Sequence, residues 1–180
     1  MKVFIGGSRA VSKLNELIRD RIDDVVIKRG HTVVVGDANG ADRAVQQYLA
    51  ERQYPHVVVF CMEKCRNNVG GWPIRNVAAP PGSSGFAYYS AKDLVMAREA
   101  KCGLMLWDGK SKGTFQNVIK LIGAEKRALV YFAPTQDFHV VGNEADLTVL
   151  LGRCQKSDVD LAVQGLEGPA IQADLPLARV

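Results

Sequence analysis

Four short segments concentrate the side chains able to do chemistry: Gly6-Gly7-Ser8-Arg9, Gly36-Asp37-Ala38-Asn39-Gly40-Ala41-Asp42-Arg43, Pro73-Ile74-Arg75-Asn76 and Lys110-Ser111-Lys112-Gly113-Thr114. Glycine lets a backbone approach a phosphate closely, and a serine hydroxyl or an arginine fork adds hydrogen bonds to it. Gly7, Ser8 and Arg9 are therefore candidates for one face of a phosphate or ribose. Lys112, Gly113 and Thr114 bring an ammonium, a glycine and a capping hydroxyl to a helix start, which is an anion-binding composition. Gly36 and Gly40 frame Asp37, and Asp42 falls in the first turn of the next helix; such carboxylates can bind ribose hydroxyls or polarise a water. Asp37 and Asp42 are the candidate catalytic pair, with Asp93, Glu99 and Asp108 as further acid–base candidates, and Gly36, Gly40 and Asp108 are also expected to bind the ligand. Arg75 and Asn76 would close over a ligand from a long insert.

Other chemistries are poorly served. The first glycine turn is neither a Gly-x-Gly-x-x-Gly fingerprint nor a P-loop, so neither a standard dinucleotide fold nor an NTPase is indicated. His31, His56 and His139 pair with no evident Ser or Cys nucleophile, which argues against a hydrolase triad. Cys61-Met62-Glu63-Lys64-Cys65 has no second Cys/His cluster to complete a metal site, so no metal and no cofactor is expected. Four cysteines do not make a disulfide scaffold, and Cys61 and Cys102 read as core residues in or beside apolar runs.

The elements that must position these groups alternate. Val3–Ile5, His31–Val35, His56–Cys61, Gly103–Trp107 and Ala128–Phe132 are apolar runs that read as strands. Between them, Leu14, Leu17, Ile18, Ile22 and Val25, then Ala41, Ala44, Val45, Tyr48 and Leu49, recur at helical spacing. Ser90 with Asp93 resembles a capping box opening a helix to about Ala100, and Thr114 caps another through about Glu125. Asp37 or Asn39 can cap the second helix. Trp107 is open to two readings, a base-stacking platform or a core residue. The pattern predicts an α/β fold, a Rossmann-like three-layer αβα arrangement with a mostly parallel sheet of about five strands. Right-handed crossovers then bring the turns at Gly6, Gly36 and Asp108 to one sheet edge.

Residues 63–89 break the rhythm with repeated Gly and Pro, yet hold Trp72, Phe86, Tyr88 and Tyr89; they read as a functional flap. The expected organisation is a domain over 1–133, carrying this insertion, and an extension over 134–180 with short helices near Asn143–Leu151 and Ser157–Val163 and a tail beyond Gly165.

The chain has 180 residues, 47% of them hydrophobic, enough for one sizeable core. No run approaches the ~20 apolar residues of a membrane span, and the first residues lack a signal peptide's apolar stretch, so a cytoplasmic protein without membrane partners is expected. A net charge of +4 is only mildly basic. Apolar helix faces beyond what the sheet can cover would favour a homodimer or larger homo-oligomer.

Taken together, Gly7-Ser8-Arg9, Gly36-Asp37-Ala38-x-Gly40-Ala41-Asp42-Arg43 and Pro73-Ile74-Arg75-Asn76 resemble the SMF/DprA–LOG (SLOG) superfamily, nearest its YspA-like, cpYpsA-related branch. The resemblance runs from Met1 to about Phe132. It implies a Rossmann-like domain that binds a nucleotide or nucleotide-derived ligand, ADP-ribose-like or a nucleoside phosphate, as a sensor or binding module. Lonely-guy relatives instead cleave the N-glycosidic bond of nucleoside monophosphates, with a Pro-Gly-Gly-x-Gly-Thr-x-x-Glu pattern after the fourth strand. Here Gly113 and Thr114 match that pattern, but Asn117 stands where the catalytic glutamate is expected, and an amide cannot act as a carboxylate acid or base. A deoxyribosyltransferase-like hydrolase is a further enzymatic alternative. A DprA-like relative would bind single-stranded DNA through a strongly basic groove; with +4 over the chain, nucleic acid is not expected as a partner.

Overall fold

The computed structural model describes residues 1–163; the tail expected beyond Gly165 lies outside the described residues. In chain order the elements are β1 (Lys2–Gly7), α1 (Glu16–Ile22) running into a π-helical turn (Asp23–Ile27), β2 (Thr32–Gly36), α2 (Ala41–Glu51), β3 (Val57–Cys61), β4 (Ile74–Asn76), α3 (Gly85–Glu99), β5 (Cys102–Trp107), α4 (Lys112–Ile122), β6 (Ala128–Phe132), β7 (Asp137–Val141), α5 (Glu144–Leu151) and α6 (Lys156–Val163). Local chemistry sets several boundaries. The Asn15 side chain caps α1 by accepting from the Ile18 N–H at 3.0 Å, and Ser111 and Asn143 cap α4 and α5 in the same way.

The strands form one sheet in the order β4-β3-β2-β1-β5-β6-β7, with every pairing parallel except β6–β7. The sheet therefore has seven strands rather than about five. The first addition, β4, lies within the segment expected to be an inserted flap. It pairs with the end of β3, Val59 opposite Ile74 and Cys61 opposite Asn76. Its three residues are all exposed, so no apolar pattern announces it; a short, charged edge strand is how sheets blunt their edges. The second addition, β7, returns from β6 through a tight turn that puts Asp137 opposite Phe132. Its partly buried, mixed sequence hid it. Helix α3 also starts earlier than expected, at Gly85, so Ser90 lies inside the helix and its hydroxyl bonds to Ala87 O at 3.2 Å.

Two apolar cores sandwich the sheet. One joins β1, β2 and β3 to Ile18 and Ile22 of α1 and Ala44, Val45 and Leu49 of α2. The other joins Phe4, Val34 and the β5–β6 strands to Met96 of α3, Phe115 and Val118 of α4, and Leu147 and Leu150 of α5. Helices thus cover both faces, and the segment after Pro134 contributes a strand to the sheet and side chains to the second core. Among the described residues no helix is long and apolar enough to cross a membrane. Strand order reverses between β1 and β5, and a crevice opens at such a switch point outside the strands' carboxyl ends.

Candidate functional site

That crevice is a cleft of about 690 Å³, within the range of small-molecule sites. Its floor begins where β1 and β5 end. The Ser8 hydroxyl, buried, donates to Asp108 Oδ2 at 2.7 Å across the switch point, and the Ser8 N–H bonds to Leu106 O at 2.8 Å. The other Asp108 oxygen accepts from the Lys110 and Ser111 N–H groups at 3.1 and 2.8 Å, folding the turn that starts α4. Gly113 and Thr114 then present the helix's first turn to the cleft. Trp107 is fully buried, stacked on Phe115, with its indole N–H on Ser111 O at 3.1 Å; it is a core residue that supports this turn from behind.

The start of α2 forms a second wall. At Gly40, φ is +83°, and a Cβ there would lie 2.3 Å from the Arg9 Cα. Only glycine allows the Arg9 backbone to lie across the α2 N-terminus at this point. Gly36 serves a different need: a Cβ would lie 2.4 Å from Asp42 Oδ2, so its absence makes room for that carboxylate. Asp42 accepts from the Ala38 N–H at 3.2 Å. Burial, reinforced by Asp93 and Asp37, outweighs the pull of Lys92 and the Ala38 N–H and raises its carboxyl to about 6.

Helix α3 closes the cleft with one face. Phe86, Tyr89, Ser90, Asp93 and Met96 recur at helical spacing along it. Lys92 projects beside them, buried, 2.9 Å from Asp93 and 4.0 Å from Asp37. Burial opposes its charge, but Asp93, Asp42 and Asp37 together hold its ammonium above the ordinary range. Arg66 completes the wall. Its Nη2 bonds to Asp37 Oδ1 at 2.7 Å, its Nε and N–H to Oδ2 at 3.1 Å, and its guanidinium sits 4.8 Å above the Tyr89 ring. Burial alone would raise the Asp37 carboxyl; the Arg66 bonds and Lys92 more than offset this and hold it below the usual range.

Of the expected residues, the cleft brings together Gly7, Ser8, Arg9, Asp42, Asp108, Gly113 and Thr114. Gly36, Asp37 and Gly40 lie behind its wall, with Asp37 closed off by Arg66, and Lys112 is not among the lining residues. Arg75 and Asn76 are not over it either. They sit on the β4 edge, where Arg75 pairs with Glu99 and lies 5.4 Å from the Phe60 ring centroid. Glu99, also bound to Lys2, is thereby removed from the acid–base candidates near the cleft. The basic group from the insert is Arg66 instead. Sequence reasoning missed Arg66 and Lys92; the α3 face did carry a signal, the i, i+3, i+4 recurrence of Phe86, Tyr89, Ser90 and Asp93.

Asn117 lies on the cleft floor, 6% exposed. Its amide N–H is 3.4 Å from Asp93 Oδ2, and its carbonyl oxygen has no hydrogen-bond partner among the described residues. A buried amide oxygen beside a cleft can accept a hydrogen bond from a molecule in it. Cys61, a core residue as expected, is joined to Cys65 by a disulfide that the spacing did not lead us to expect.

The comparisons with known proteins bear on the fold. No protein-family profile matches the chain, and no curated protein matches it. Among solved structures, DNA processing protein A from Helicobacter pylori, described for its single-stranded DNA binding mode, is similar over 91% of this chain and 79% of its own, with a TM-score of 0.57 and 14% identity. The chain therefore shares the fold of that protein. This corrects the expectation that nucleic acid is not a partner: the fold is one that, in that protein, binds single-stranded DNA. Net charge is a weak guide to such binding, which depends on where cations sit as well as on their sum.

Proposed function

We propose that this chain is a binding module whose cleft holds a nucleotide or nucleotide-derived ligand, free or as a unit of a single strand. The open carbonyl of Asn117 carries the reading, because it can accept from a ligand donor on a floor it shares with Asp42 and Asp93. A sugar hydroxyl is such a donor. Arg9 and Lys110 at the mouth, Arg66 on the wall and the first turn of α4 fit a phosphate. Phe86 and Tyr89 offer faces for a base. The Rossmann-like topology and the resemblance to nucleotide-binding SLOG proteins support the same ligand class, and the DNA-binding neighbour supports a strand as its source.

A second reading has its own support. Asp42, at about 6, sits where a general acid or base works near neutrality, and it lines the sugar end of the cleft. In an N-glycosidic hydrolase Asp42 would take that part, since Asn117 cannot.

A proton NMR time course with a pool of ribo- and deoxynucleoside phosphates, ADP-ribose and a short oligodeoxynucleotide separates these readings. Broadening of one nucleotide's signals, with no new species, is the expected result. Broadening of the oligonucleotide alone assigns the cleft to a strand. New free-base signals assign hydrolysis. A spectrum unchanged for every component overturns the nucleotide reading.

A further inference from the structure

The segment after β3 is held by several side-chain hydrogen bonds. Asn67 Nδ2 donates to Asp37 O at 2.7 Å and to Asn39 Oδ1 at 3.1 Å. Gln46 donates to Gly36 O at 2.8 Å and Asn67 O at 3.3 Å, and accepts from the Val69 N–H at 3.0 Å. These bonds and those of Arg66 lash residues 66–69 onto the end of β2. The disulfide between Cys61 and Cys65 forms the covalent part of the same lashing, one residue before Arg66. Both sulfurs and an Asp37 carboxylate oxygen lie within 4.8 Å of one another.

We propose that Cys61 and Cys65 are a redox-active dithiol–disulfide site, and that its state sets whether Arg66 is clasped to Asp37 at the wall of the cleft. A cross-link closing so short a loop removes little entropy from the unfolded chain, so it is a poor general staple. What it constrains is the turn that delivers Arg66. Access is asymmetric: Cys61 is fully buried, whereas Cys65 is only partly so. The thiolate of a small thiol such as glutathione attacks the Cys65 sulfur. The S–S bond breaks, Cys61 leaves as a thiolate and takes up a proton, and Cys65 is left in a mixed disulfide. A second glutathione thiolate attacks the glutathione sulfur of that mixed disulfide, releasing the Cys65 thiolate, which is then protonated. Two electrons and two protons enter the protein, and one glutathione disulfide leaves. The reduced turn has lost its tether, and the Arg66 bonds to Asp37 and its place over Tyr89 rest on non-covalent contacts alone.

The test uses the full chain in glutathione buffers of graded potential, with differential alkylation read by mass spectrometry and amide hydrogen exchange read over 62–69. Cys102 and Cys154, whose thiols burial pushes up, serve as internal references. The pair should interconvert as one two-electron couple while the protein stays folded. Reduction should speed exchange of the Arg66 amide by roughly tenfold or more, with the α2 amides unchanged. Cys65→Ser should exchange like the reduced protein in every buffer. A pair that stays thiol, or stays bonded, across all native buffers overturns the proposal, as does exchange that ignores its state. Protection that returns when Zn(II) is added to the reduced protein would make the trio with Asp37 a metal site instead, and also overturns it. No ligand enters the test, so its outcome is independent of the nucleotide reading.

Discussion

Asp42 shows how one missing side chain and one buried cation tune a carboxyl. Gly36 leaves it room, burial and its acidic neighbours resist its ionisation, and Lys92 keeps that resistance moderate. Its folded pKa, about 6, is above the ordinary value. The stability it contributes is therefore fully present below the unfolded pKa and is lost as pH rises through about 6. Asp42→Asn keeps the acceptor for the Ala38 N–H and removes the ionisation. In urea titrations the variant should gain roughly 2–3 kcal/mol on the parent at pH 8 and match it near pH 4. An equal gap at both pH values would show that ionisation is not what the site resists. If the chain cleaves a glycosidic bond, the same variant should lose about 10²–10⁴-fold in turnover with binding less affected. Arg9 is a simpler case, an exposed cation at the cleft mouth with no ion pair among the described residues. Calorimetry of Arg9→Ala should find phosphate-bearing ligands weakened by roughly 1.5–3 kcal/mol and free nucleosides unaffected. Equal losses for both would remove phosphate as its target.

At the scale of elements, the site depends on how β1, β5 and α2 meet. The Arg9 backbone lies so close to the start of α2 that Gly40 has no substitute. Gly40→Ala combines a left-handed backbone with a steric overlap, and should cost about 1–3 kcal/mol or more in chemical denaturation. It should also shift Arg9 and weaken an anion more than a neutral ligand. A variant as stable as the parent would mean that this approach is looser than it stands here. The two strands hidden in the sequence have related causes. β4 is an exposed three-residue edge and β7 mixes polar and apolar residues, so neither shows the continuous apolar run of a buried parallel strand. The five strands buried on both faces do show it, and they were legible. Helix α3 began a turn and a half early because Phe86 and Tyr89, facing a cleft rather than a core, blurred the apolar stripe.

For the molecule as a whole, charge placement matters more than charge count. The net +4 is spread over the chain, and the cleft sets Arg9, Arg66, Lys92 and Lys110 among Asp42, Asp93 and Asp108. A single strand contacting Arg9, Arg66 and Lys110 should show a log K against log salt slope of about −2, from ~0.7 per neutralised phosphate. Anisotropy of a labelled oligodeoxynucleotide across a salt series measures it. A slope steeper than about −5 would place the strand on a longer basic track and would detach strand binding from the cleft.

The sequence by itself determined the layered α/β architecture, the five buried strands and the turns whose glycines and polar residues gather at one sheet edge. It could do so because apolar periodicity and turn chemistry are local, and a parallel sheet's crossovers leave little freedom in where strand ends fall. The expectation that Gly7, Ser8, Arg9, Asp42, Asp108, Gly113 and Thr114 lie near one another rested on that basis, and they line one cleft. Only the tertiary structure decided that Asp37 is engaged by Arg66, that Arg75 belongs to Glu99 on an edge strand, and that Lys92 is buried among three carboxylates. It also decided that Asn117 faces the cleft with its carbonyl unpaired, and that Cys61 meets Cys65. Each of these is a long-range or burial-dependent pairing. No local spacing encodes it, because desolvation and partner geometry exist only once the chain has packed.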